Sequence, residues 1–312
     1  MGVRYTVLAS GSGGNVSLVE SDGFGVLIDV GLGSRELTRR FADAGLSWSA
    51  VQAVVLTHTH TDHWKDSTLG HLHRHGIPLW CHLGHYRGLS AYGEGFARLL
   101  ADGLVRPFDE HRPFDLCNKL RCTPLPIRHD AGPTFAFRFE GAADLFGPAA
   151  ALGYAADLGC WDDVLADALS DVDLLAIEFN HDVDLERSSG RGAHLIARVL
   201  GDEGHLSNVQ GAALVRTALG RSASGRLRHL VQLHLSRDCN RPALAQAAAR
   251  PVLEELAPEA GLHTADQFTP GPTLSLARPP RRRAAARRRR GPAATGQAWL
   301  PGWNWDGTGQ AG

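Results

Sequence analysis

AVVLTHTHTDHWKD, residues 53–66, begins as a short apolar run and breaks into His58, His60, Asp62 and His63. Four metal-capable side chains crowd into six positions. Residues 53–56 read as a buried strand too short for a comfortable helix, so His58 and His60 leave its end with period-two spacing and point to one side. Asp62 and His63 then lie in the turn beyond. Three imidazoles and a carboxylate suit zinc or a similar first-row ion, at about 2.0–2.2 Å per ligand, and can serve two ions together. The competing interpretation is a solvated polar loop. Desolvating so many ionisable groups beside an apolar strand is costly unless something pairs with them, which argues against it.

Upstream, residues 4–9 and 15–19 read as strands joined by SGSGGN at 10–15, and Asp22-Gly23 makes a turn before a third strand at 25–29. No Lys-Ser/Thr and no helix follow the glycines, so a phosphate loop is excluded. The loop reads instead as a tight connection passing close to the metals, with Asp29 as a hydrogen-bond acceptor beneath them. Ser34 is expected to cap a helix running to Ala44, with Gly45 ending it.

Downstream, His71, His73 and His75 in GHLHRHG fall on a short helix, where His71 and His75 share a face. The first cluster already supplies a complete ligand set, so these three, with His82 and His85, read as non-ligating. Residues 86–100 read as a helix weakened by Gly88, Gly93 and Gly95. Strands follow at 120–127, 134–140 and 150–155, with His129 in the first connection and Asp157 just past the third. On position alone Asp157 is equally a ligand or the cap of a helix starting near Trp161. A buried strand at 172–177 leads to EFNHD at 178–182, and a helix at 194–200 leads to GHLSN at 204–208. Ser207 and Gln210 make a capping box for a helix at 209–219, which leaves His205 without a structural reason to be there. The last buried strand, 227–235, delivers His234; Pro242 then opens an alanine-rich helix that Pro251 interrupts.

HTHTDH at 58–63, with the Ser10 to Asn15 loop, Leu27-Ile28-Asp29 with Gly31, His129, Asp157 with Gly159, Glu178 to Asp182, Gly204 to Asn208 and His234 to Ser236, resembles the metallo-β-lactamase superfamily, in its YycJ/WalJ-type branch. The likeness spans residues 4–277. Leu158 stands where such sequences carry Thr, and Arg237-Asp238-Cys239-Asn240 replaces their usual Asn pair, a change that bears on substrate contacts. The resemblance implies an α/β fold, a four-layered αββα sandwich, which two strand-rich halves flanked by helices also suggest. It implies one ion on His58, His60 and His129, a second on Asp62, His63 and His234, and Asp157 between them. His205 is the rival for the late ligand position; otherwise it is placed to donate a proton, and Asp62 and His205 are the catalytic candidates. The expected cofactors are two divalent ions, zinc first, with manganese or iron(II) as alternatives.

Such a site suits phosphodiesters, thioesters and lactones alike. The resemblance favours a phosphodiesterase or nuclease acting on single-stranded DNA or a related phosphodiester. The alternatives are a thioester or lactone hydrolase of the same fold and a non-catalytic metal-binding regulator. An open, ligand-rich set argues against the regulator, because structural zinc sites are closed and four-coordinate.

A chain of 312 residues with 43% hydrophobic content can bury a sizeable core. One hydrolase domain at 1–277 and a disordered Arg/Ala/Pro/Gly-rich tail at 278–312 are expected. The tail holds eight arginines and one aspartate, a charge of +7, so the formal charge of -1 conceals a body of -8. That body does not advertise general nucleic-acid affinity, whereas the tail, with Trp299, Trp303 and Trp305, could serve as a basic arm contacting nucleic acid. Five scattered cysteines without a CxxC pair, and no signal or membrane-spanning run, point to a cytoplasmic protein that does not enter membranes. No stretch selects an oligomeric state.

Overall fold

Along β1 (Val3–Ala9), Val3, Tyr5 and Val7 enter one core cluster while Leu8 enters another, so a period of two buries both faces of the strand. The same division recurs in β3 and β4, where Val26, Ile28, Ala53 and Val55 face one way and Leu27 and Val54 the other. Strands covered on both sides read as nearly continuous apolar runs. This pattern is the origin of the layering. The computed structural model describes residues 2–276, apart from 145, 146, 149 and 224. The expected boundary at 277 and the arginine-rich tail lie outside the described residues.

The first sheet opens as a meander of β1, β2 (Val16–Ser21) and β3 (Phe24–Ile28), and continues through β4 (Ala53–Val55), β5 (Leu79–His82) and β6 (Val105–Phe108), all parallel to β3. The second begins antiparallel with β7 (Phe114–Cys117), β8 (Leu120–Ile127) and β9 (Thr134–Gly141). After a short ribbon of β10 (Ala143–Asp144) and β11 (Gly147–Pro148) come β12 (Ala151–Ala155), β13 (Leu174–Glu178), β14 (His229–Leu233) and β15 (Gly261–Thr264), mutually parallel. Finally β16 (Leu274–Ser275) returns to pair with β1, completing two seven-stranded sheets.

Helices α1 (Ser34–Asp43), α2 (Asp66–Arg74), α3 (Tyr86–Ser90) and α4 (Gly95–Ala101) bury Leu37, Phe41, Leu69, Leu72, Leu89 and Phe96 against the first sheet. Of α5 (Asp163–Ala168), α6 (Val183–Arg187), α7 (Ala193–Leu200), α8 (Asn208–Gly220) and α9 (Pro242–Leu256), the fifth, eighth and ninth cover the second sheet through Leu165, Leu214, Val215, Ala249 and Leu253. Between the sheets lies a third cluster with Tyr5, Phe135, Phe137, Phe139 and Leu174, each fully buried side chain contributing about 1.5–3 kcal/mol. The architecture is the expected αββα sandwich. Among the described residues no helix is long and apolar enough to cross a membrane.

Several local expectations are corrected. Ser34 is the first helical residue rather than the cap; Gly33 occupies the cap position and no side chain bonds there. Residues 86–100 form two helices, broken at 91–94 where Gly93 takes φ 118°. Pro251 lies inside α9 without ending it. The last buried strand stops at Leu233, and His234 follows it with φ 55°. The capping box of Ser207 and Gln210 is present as expected.

Candidate metal centre

Strands β3 and β4 run parallel, and so do β12, β13 and β14; β8 shares the direction of β12 because β9 is antiparallel to both. Their carboxyl ends release Asp29, the 57–63 turn, His129, Asp157, Glu178 and His234. Crevices outside the carboxyl ends of parallel strands are where open α/β sheets bind ligands. Three of these residues, Asp29, Asp157 and His234, adopt φ of 63°, 56° and 55°, in the left-handed region that L side chains seldom occupy. Backbone held in that region is paid for by the surrounding packing and concentrates at functional sites.

Asp29 is fully buried and organises the first half of the site. Its Oδ1 accepts hydrogen bonds from Thr57 N and Oγ1 at 2.8 and 3.0 Å, and its Oδ2 lies 2.7 Å from His63 Nδ1. With Nδ1 donating to Asp29, His63 presents Nε2 to Asp157 Oδ2 at 2.7 Å and to Asp62 Oδ2 at 3.7 Å. His58 Nδ1 contacts Thr57 Oγ1 at 3.0 Å, which leaves a buried Nε2 with no hydrogen-bond partner. His129 Nδ1 donates to Gly204 O at 3.0 Å, and its Nε2 meets His60 Nδ1 at 3.2 Å. In each ring except His60 the far nitrogen is tied down and the near one faces inward, the arrangement that orients metal-binding imidazoles. Gly31 makes room for the turn: a Cβ there would lie 1.7 Å from Asp62 O. The glycine loop closes over it, with Asn15 Nδ2 3.0 Å from His63 Nε2 and 3.4 Å from Asp62 Oδ2.

The second half is organised by Glu178, whose role the sequence reading did not assign. Its Oε2 accepts from Leu158 N and Leu206 N at 3.2 and 3.0 Å, while Oε1 lies 2.9 Å from His205 Nδ1 and 2.8 Å from His234 Nδ1. Asp157 Oδ1 is 2.7 Å from the same His234 nitrogen. His234 Nε2 is thereby left buried and unpartnered, 3.8 Å from Asp62 Oδ2. The signal was present as a buried strand ending in a carboxylate, the pattern that identified Asp29.

The donor set fits metal binding, with its closest pairs at hydrogen-bond distance, 2.7 Å. Donor atoms about 2.0–2.2 Å from a tetrahedral ion stand roughly 3.3–3.6 Å apart. His58, His60 and His129 offer donor atoms within 4.8 Å of one another, as do His58, His63 and Asp157, and also Asp157, Glu178, His205 and His234. Seven of the eight expected residues fall in these groups, and Asp62 joins them through Oδ2, 3.7 Å from His63 Nε2 and 3.8 Å from His234 Nε2. His71 and His75 do not join them: their rings lie 4.3 Å apart, tilted by 33°, beside Trp48. His85 Nε2 instead contacts Pro133 O at 2.9 Å.

Burial, followed by the charge on His63, holds His58 well below the usual imidazole range, and burial does the same more mildly for His60 and His129. Neutral imidazole is the form a metal requires. Burial would also lower His63 and His234, but neighbouring carboxylates outweigh it: Asp157 and Asp29 raise His63 well above its ordinary value, and Asp157 with Glu178 brings His234 up to about 10. The same negative field attracts any cation, proton or metal. Against the burial that would raise it, Glu178 is brought down to about 2 by the charge and hydrogen bond of His205 and by His234.

The site opens into a cavity of about 420 Å³, within the size range of small-ligand clefts. Ser12, Asp62, Tyr92, Arg191, Arg198 and His205 are among its lining residues. The buried Glu186 carboxylate and Asp238 hold Arg191 at 3.2 and 2.8 Å. Arg198 pairs with Asp130, whose Oδ1 lies 3.5 Å from His60 Nε2. Tyr92, Asp130 and the two arginines carry no motif that singles them out in the sequence.

A family model described as the beta-lactamase superfamily domain matches residues 25–224. Exodeoxyribonuclease YycJ of Bacillus anthracis is 28% identical over 262 residues, covering 82% of this chain and 90% of that protein. Two solved structures share the fold. The metallo-β-lactamase-fold protein YhfI from Bacillus subtilis superposes with a TM-score of 0.61 at 17% identity, over 87% of this chain and 99% of its own. Zn(2+)-bound PqqB from Methylobacterium extorquens gives 0.60 at 17%, also over 87% and 99%.

Proposed function

This chain belongs to the beta-lactamase superfamily domain family and is a metal-dependent hydrolase, and from that premise we propose that it cuts phosphodiester bonds in single-stranded DNA with two divalent ions. The observation that carries the reading is the convergence on Asp157 of two buried imidazole nitrogens left without hydrogen bonds, His58 Nε2 and His234 Nε2, one from each half of the molecule. The substrate class is supported by the exodeoxyribonuclease relative, which aligns along most of both chains.

His58, His60 and His129 would hold one ion and Asp62, His63 and His234 the other, with Asp157 between them. Zinc suits so imidazole-rich a set and is bound by PqqB; manganese and iron(II) are the alternatives. Bound there, two divalent ions would polarise the phosphoryl oxygens and make a water acidic enough to attack at neutral pH. Asp62, whose side chain is 23% exposed and lines the cavity, can accept a hydrogen bond from the attacking water. His205, fixed through Nδ1 by Glu178, keeps Nε2 for the substrate. Burial lowers its pKa and the Glu178 charge and hydrogen bond raise it, a net rise that favours the protonated ring a general acid needs.

The test is a metal count on the purified protein, followed by assays on single-stranded DNA, bis-p-nitrophenyl phosphate, a thioester and a lactone. Metal-dependent DNA cleavage is expected, and it should vanish together with bound metal in His58→Ala and Asp62→Ala while circular dichroism stays native. Thioester or lactone turnover without DNA cleavage would overturn the substrate class. Full activity in both variants would overturn the site.

A further inference from the structure

Tyr92 and Phe268 are the only exposed tyrosine, phenylalanine or tryptophan side chains among the described residues, at 66% and 57%. Only the first of them is a lining residue of the metal cavity. Tyr92 lines it directly, from the 91–94 break between α3 and α4. Its ring centroid lies 6.3 Å from that of Trp64, the buried residue that follows His63 and donates through Nε1 to Thr59 O at 3.0 Å. The exposed ring is thus backed by the metal-binding turn itself.

Phe268 is linked to the cavity through its neighbours. The neighbouring Gln267 accepts a hydrogen bond from Gly13 N at 2.7 Å, beside the cavity residue Ser12. Arg237, adjacent to the cavity residue Ser236, places its guanidinium carbon 5.7 Å from the Phe268 ring centroid. Asp266 Oδ1 accepts from Phe268 N and Thr269 N, both at 2.8 Å, and fixes the turn that presents the ring. Arg237 lies over the Phe268 ring, and Arg191 and Arg198 line the same cavity as Tyr92.

We infer that Tyr92 and the Phe268–Arg237 pair are stacking platforms that hold unpaired bases on the strand threading the metal cavity, and so set the preference for single-stranded DNA. Aromatic platforms beside cations are how strands are held without sequence preference, because every base has a stackable face. A duplex, whose bases are stacked on one another, cannot offer those faces. The inference rests on the DNA-cleaving function proposed above, and names residues that position substrate rather than react with it.

The experiment compares the metal-loaded wild type with Tyr92→Ala, Phe268→Ala and Tyr92→Phe on a single-stranded oligonucleotide, the matching duplex and bis-p-nitrophenyl phosphate. Each alanine variant is expected to raise KM for the single strand about five- to hundredfold, the effect of losing one base–aromatic stack. Its kcat and its turnover of the small diester should be unchanged, and Tyr92→Phe should behave as wild type. A 2-aminopurine in the strand, quenched by stacking, should brighten in the alanine complexes. Wild-type KM for single strands in both alanine variants would overturn the platforms while leaving the nuclease intact. Equal losses on the strand and the small diester would also overturn them, by making the rings structural. A wild type that hydrolyses the small diester but neither binds nor cuts DNA would overturn the function proposed above, and the platforms with it.

Discussion

His205 and His234 share one oxygen of Glu178, at 2.9 and 2.8 Å, yet differ in what remains of each ring. His234 is locked by a second carboxylate and keeps a buried, unpartnered Nε2, whereas His205 is part-exposed at the cavity. His234→Ala is therefore expected to lower the metal count. His205→Ala should retain metal and slow turnover about 10²- to 10⁴-fold on diesters whose leaving group needs a proton. With a p-nitrophenolate leaving group the loss should be much smaller, so atomic absorption and paired kinetics check both expectations. Loss of metal in His205→Ala would exchange the two roles. At this scale the HTHTDH residues were legible because their spacing is local, and Asp29 because a carboxylate ends its strand. Glu178 bore the same mark, but its meaning depends on His205 and His234, 27 and 56 positions away.

Among the elements, α9 carries its proline in the interior and at an exposed position. Pro251 has no N–H for the preceding turn, and interior prolines cost about 3 kcal/mol relative to alanine. Packing of Ala249, Val252 and Leu253 on the second sheet holds the helix together across the defect, which is why the interruption expected from sequence does not occur. Pro251→Ala should raise stability by about 1–3 kcal/mol in urea unfolding, part of the gain being offset by a looser unfolded chain. On α1, hydrogen bonds from Arg39 and then Arg40 bring the Glu36 carboxyl from 4.5 down to about 2. A depressed folded-state pKa gives stability that is present above the unfolded value and lost as pH falls. Glu36→Gln should consequently flatten the decline in stability between about pH 4.5 and 2 relative to wild type, read from urea midpoints along that range. The short strands β6, β7 and β15 are not legible in the sequence because four residues of mixed or uniformly partial burial show neither period clearly.

For the whole molecule, the layers were legible because alternating apolar runs fix which faces must be covered, whereas the cavity lining was not, since Tyr92 and Arg198 come from unrelated stretches. We propose residues 1–277 as the catalytic domain. Truncation after Ala277 should leave the melting temperature and small-diester hydrolysis unchanged; a lower melting temperature would place part of the core beyond that boundary. The polypeptide passes from the first sheet to the second through residues 109–113, all exposed. His58, His60, Asp62 and His63 precede that crossing; His129, Asp157, Glu178 and His234 follow it. The protein is in effect two half-enzymes in series, and a nascent chain holds no complete site until His234 has left the ribosome. Cleaving the gene at 109–113 should yield two fragments that are inert apart and regain metal-dependent activity when co-expressed, so that the hydrolase reports its own reassembly.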